Sequence, residues 1–109
     1  MADADWAKYR QLRGKALPRS FAFRGRTYEQ EKRFKNWLLS VGDSRLVIVE
    51  CGAGTAIPTV RRLCDWSAMQ AGRTLIRINV REPSVPDGQI GVAMGALEAL
   101  RAIAARLCI

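Results

Sequence analysis

The run Leu46-Val-Ile-Val49 is continuously apolar, and it empties through Glu50 and Cys51 into Gly52-Ala-Gly54. A continuous run of this kind predicts a parallel strand over 45–51, covered on both faces. The segment after the turn changes period. Val60, Leu63, Cys64 and Ala68 recur at helical spacing, with Pro58 or Thr59 as the opening position and Gly72 as the stop. Residues 74–80 then alternate: Ile76, Ile78 and Val80 fall on one face, and Arg77, Asn79 and Arg81 on the other.

Upstream, Thr27-Tyr-Glu-Gln30 has the form of a capping box. Phe34, Trp37, Leu38 and Val41 follow it as one helical stripe that Gly42 terminates. Downstream, 82–88 is a Pro- and Gly-containing loop, 89–92 a short third strand, and 93–107 a closing helix with Leu97, Leu100, Ala104 and Leu107 in a stripe. Trp6, Tyr9 and Leu12 permit a short helix over 4–13, which Pro18 limits. The pattern predicts an α/β fold: a small parallel sheet of two or three strands with flanking helices, part of a Rossmann arrangement. Residues 1–19 form a basic N-terminal extension and 20–109 the folded part.

Composition narrows the chemistry. The chain has 109 residues and no histidine, so Ser-His and Cys-His nucleophile arrangements are excluded. Its three cysteines, Cys51, Cys64 and Cys108, form no CxxC pair, which argues against a disulfide framework and a structural zinc site. Cys51, at the end of a strand, is expected to be a small buried residue. No apolar run suits a signal peptide or a membrane span. The expectation is a cytoplasmic protein of a reducing compartment, without membrane contact. The net charge of +8 is uneven: residues 1–40 hold ten Lys/Arg against four Asp/Glu, and residues 41–109 hold eight against six. The basic third, with Tyr9, Phe21, Phe23 and Tyr28 interleaved, fits nucleic acid or an acidic partner as an alternative function. A solubilising surface fits it equally.

The candidate chemistry lies at the ends of the two strands. Gly52 allows a tight turn and Gly54 a close approach of backbone to a phosphate, two of the three glycines of GxGxxG. Asn79 lies 25 residues past Gly54, near the distance of about 20 at which a polar group meets a ribose in dinucleotide folds. Gly52, Gly54, Thr55 and Asn79 are the candidate cofactor-binding residues. Arg77 and Arg81 are expected on a solvated face, and Glu50 in a pair with a nearby arginine. No residue qualifies as catalytic, and none as a metal ligand.

In order and spacing these segments resemble the sirtuins, the Sir2-type NAD-dependent protein deacylases. Arg26–Glu31 with Arg33, Phe34 and Trp37 looks like the helix before a late strand in bacterial Sir2-like proteins. Leu46–Arg61 looks like the strand and turn that follow, Leu75–Pro83 like the strand ending in Ile-Asn, and Met94–Leu100 like the closing helix. The resemblance covers about 20–105. It implies NAD as cofactor, with Gly52, Gly54 and Thr55 at phosphate or ribose and Asn79 at ribose or adenine. The family's late turn usually reads Gly-Thr-Ser, and its serine is missing here. Its catalytic histidine, its zinc module and its first glycine motif are missing too. What the resemblance implies is therefore an NAD- or ADP-ribose-binding half-domain that is inactive alone. A sheet edge left open in such a half-domain suits a homo-oligomer or a partner chain.

Overall fold

The computed structural model describes residues 27–42 and 44–108. The 1–19 extension, the helix expected over 4–13, the Thr27 capping side chain and the basic segment before residue 27 lie outside the described residues. The element order is α1 (Thr27–Ser40), β1 (Leu46–Cys51), α2 (Thr59–Ala68), β2 (Arg73–Ile78), β3 (Ile90–Val92) and α3 (Ala96–Leu107). The three strands form one parallel sheet in the order β1-β2-β3. The molecule is thus a small α/β fold, an open parallel sheet with flanking helices.

One face of the sheet carries α2. Cys64 and Ala68 of α2 pack with Leu75 of β2, with Ile48 and Val85 against them. Trp66 and Met69 join Leu38 of α1, flanked by Phe34, Leu46 and Leu63. The core therefore lies between the sheet and α2, and α1 closes its lower end. Leu75 and Ile78 are the most deeply buried apolar residues, at 0% and 1% exposure.

No helix connects β2 to β3. The Glu82–Gly88 segment crosses the α2 face instead, with Pro86 fully buried and Val85 in the core cluster. Gly91 makes the crossing possible, because a Cβ there would run into the Pro83 carbonyl oxygen. Gln89 completes the hydrogen bonding of the short third strand: its Oε1 accepts from the Leu75 amide at 2.7 Å, and its Nε2 donates to the Ala68 carbonyl at the end of α2.

Five expectations are corrected. Only one face of β1 is covered: Val47 and Val49 on its other face are 58% and 48% exposed. Cys51 shares that open side and is exposed rather than buried. β2 ends at Ile78, so Asn79 and Val80 belong to the loop. The closing helix starts at Ala96, three residues later than expected, and its Leu97, Leu100 and Leu107 are exposed while Ala99 is its buried residue. Val60, expected on the apolar face of α2, is exposed as well. Among the described residues, no helix is long and apolar enough to cross a membrane.

Candidate functional site

The carboxyl ends of the parallel strands meet at one cleft of about 500 Å³. Cys51, Gly52 and Gly54 line one side, Ile78 to Glu82 the base, and Met94, Gly95 and Ala96 the other side. Open parallel sheets bind ligands at this end, where loops rather than regular ladders carry the free backbone groups. The structure thus brings Gly52, Gly54 and Asn79 to a single cavity. Thr55 adjoins it through Glu82, which lines the cleft.

The turn is held by its own chain. Gly52 has φ +69°, a conformation that favours glycine, and its amide continues the sheet by donating to the Ile78 carbonyl at 3.0 Å. Gly54 differs: its φ is not positive, and a Cβ there would meet only the Glu82 carboxylate at an ordinary 3.8 Å. Nothing in the chain itself demands a glycine at 54.

Asn79 works as a brace. Its Nδ2 donates to the Ala53 carbonyl at 3.1 Å. Its Oδ1 accepts from the amides of Arg81 and Glu82 at 3.1 and 3.0 Å. One side chain therefore ties the glycine turn to the loop after β2. A primary amide carries two hydrogens, and the bond to Ala53 uses one of them. Arg61 reinforces the same joint from α2, because its Nη1 donates both to Ala53 O at 3.1 Å and to Glu82 O at 2.8 Å.

Glu82 occupies the position over the turn. Its Oε2 accepts from the Thr55 amide at 3.1 Å, and its Oε1 from the Thr55 hydroxyl at 2.6 Å. These bonds to Thr55 hold its carboxyl below the usual range. Sequence reasoning missed both Glu82 and Arg61. The available signal was the spacing Asn79-x-x-Glu82, which suits an Asx turn.

Beneath the cleft lies a buried ionic cluster. Arg77 Nε and Nη2 donate to the two Glu50 oxygens, and Nη2 also donates to Asp65 Oδ1 at 2.7 Å. Nη1 reaches the Ser84 carbonyl at 2.7 Å. All three side chains are at most 1% exposed. The expected solvated role of Arg77 is thereby corrected: two carboxylates and the Ser84 carbonyl replace the water that a lone buried cation would need. The expected pairing of Glu50 with an arginine is what the structure has. Burial pulls the Arg77 pKa down, but its bonds to Glu50 and Asp65 outweigh that and raise it. Burial raises the Asp65 carboxyl, against the pull of Arg77, and its Oδ2 has no hydrogen-bond partner. Arg81 stays exposed at the rim of the cleft.

Among the described residues, no group of three or more His, Cys, Asp or Glu is arranged to hold a metal ion. Comparison with protein-family models, with curated proteins and with solved structures returns no match.

Proposed function

We propose that the cleft at the strand ends binds the adenosine part of a nucleotide such as NAD or ADP-ribose. In this reading the chain is a sirtuin-like half-domain, derived from an NAD-dependent deacylase, with no turnover of its own. The observation that carries it is the convergence of Gly52, Gly54 and Asn79, chosen from sequence spacing alone, on one cleft. Gly54 adds support, since its own backbone does not require a glycine, and a Cβ there would face the Glu82 carboxylate that lines the cleft. Asn79 contributes first by fixing the turn, and its second amide hydrogen is its remaining donor to a ligand. A deacylase step needs a base to take a proton from the cofactor's ribose, and the sequence has no histidine for it. Isothermal titration with NAD and ADP-ribose tests the reading. Saturable binding that Gly54→Val abolishes supports it, and absence of heat up to millimolar ligand contradicts it.

A second reading is association through the open face. Among the described residues β1 has an unpaired edge, and Val47, Val49 and Ile90 are exposed. An exposed strand edge beside apolar side chains is a template for pairing with another chain. Light scattering tests this: a homo-oligomer that Val49→Lys dissociates supports it, and a monomer at all concentrations removes it.

A further inference from the structure

We propose that the open face of the sheet seats a second copy of this chain, the two sheets stacking face to face about a twofold axis. This rests on the association reading and decides between its two geometries, the edge of β1 and the face. In the register of the sheet, Val49, Ile76 and Ile90 form one row across the three strands, with Val47 beside Thr74 in the row below. Their neighbours along the strands point the other way, where Ile48 and Leu75 pack under α2. Val47, Val49 and Ile90 remain exposed. Pairing along β1 would satisfy its backbone edge and still leave these side chains in water, because they stand perpendicular to the sheet. Ile90 also lies two strand spacings, about 10 Å, from that edge. Stacking covers the whole row at once.

Charge selects the occupant. The charged residues of the strands are Glu50, Arg73 and Arg77, and alternation places all three on the α2 face. Among the described residues, the open face of the strands therefore carries no charge. An acidic or basic partner finds no counter-ion there, and a charged group laid on that face would lose its water without compensation. A second copy brings the same uncharged aliphatic row, the self-complementary match that a twofold contact requires. The net charge of +8 sets two copies against each other elsewhere on their surfaces. Extent sets the strength. Three strands and the length of β1 span a face of roughly 15 by 20 Å, well short of the about 800 Å² per partner of a standard interface. The pair is therefore weak and parts on dilution.

The test is sedimentation of the full chain from micromolar to millimolar concentration, at low and high salt, beside Ile90→Lys and Val49→Lys, with circular dichroism to verify folding. The expected wild-type result is a monomer–dimer equilibrium that salt strengthens, by screening the repulsion between two positively charged copies. Both lysine variants should weaken it about tenfold or more. A dimer that Val49→Lys dissociates and Ile90→Lys leaves intact pairs through the β1 edge, which overturns the stacking and leaves the association reading standing. A dimer that salt weakens is held by charged groups and overturns the stacking likewise. A monomer at every concentration overturns both and leaves the face to a different partner. The salt series needs no variant, so a misfolded variant does not shield the proposal.

Discussion

Arg77 and Glu50 meet as a two-pronged pair, Nε to Oε1 at 2.7 Å and Nη2 to Oε2 at 2.8 Å, with both side chains shut off from solvent. They sit opposite each other in the parallel register of β2 and β1. Breaking a buried pair from one side leaves an uncompensated charge, at a cost of about 3–5 kcal/mol. Glu50→Ala should therefore lower the unfolding free energy, read from urea denaturation, by an amount of that order. Arg77→Lys should not restore stability, because an ammonium cannot serve the Glu50 fork, Asp65 and the Ser84 carbonyl together. An Arg77→Lys variant as stable as the wild type would contradict this account of the cluster.

Gly91 and Gly54 make a matched pair of tests. A Cβ on Gly91 collides with backbone at Pro83, and backbone cannot swing aside as a side chain can. Gly91→Ala is expected to cost about 1–3 kcal/mol, the usual range for overpacking. Gly54→Ala meets only ordinary contact and should stay within about 0.5 kcal/mol of the wild type. Chemical denaturation of the two variants side by side checks the contrast.

Cys64 links burial to alkaline stability. Burial, with the Glu50 carboxylate nearby, pushes its thiol from 9.0 up to about 12. The folded chain therefore keeps a proton that the unfolded chain releases above pH 9. This contribution is complete below pH 9 and is lost as pH rises from 9 to about 12. The loss is on the order of 1 kcal/mol per pH unit. Unfolding midpoints measured at pH 8 and pH 10 should diverge more in the wild type than in Cys64→Ala. Thiol titration at pH 8 should label exposed Cys51 and Cys108 quickly, and Cys64 only after urea is added.

The two faces of the sheet should respond differently to truncation. Leu75 is fully buried under α2, and Leu75→Ala should cost about 2–5 kcal/mol. Val47 is exposed on the opposite face, and Val47→Thr should change stability by no more than about 0.5 kcal/mol. A large loss at Val47 would mean that the face is covered.

The order of strands and helices was legible from residue 27 onward because helical stripes and apolar strand runs are separated by glycine- and proline-containing turns. The faces were less legible. Leu46–Val49 is apolar whether or not a neighbour covers it, so the open face of β1 left no mark on that strand. Alternation separates Arg77 from Ile76 and Ile78, but its charge suggests a solvated face where the structure has one buried under α2. Its partners, Glu50 across the register and Asp65 on α2, become neighbours only once the strands pair. The glycines and Asn79 were legible as a site from spacing. The role of Asn79 as a brace, and the cover that Glu82 gives Thr55, depend on the loop after β2, whose path no periodicity encodes.

The cleft at the strand ends is proposed to bind a nucleotide. Amide NMR of the labelled chain, titrated with ADP-ribose, tests it most directly, since the chain is only 12.1 kDa. Saturable shifts are expected, concentrated at Gly52, Gly54, Thr55, Asn79 and Glu82, and lost in Gly54→Val. An unchanged spectrum at millimolar ADP-ribose, or shifts confined to residues away from the cleft, would contradict it.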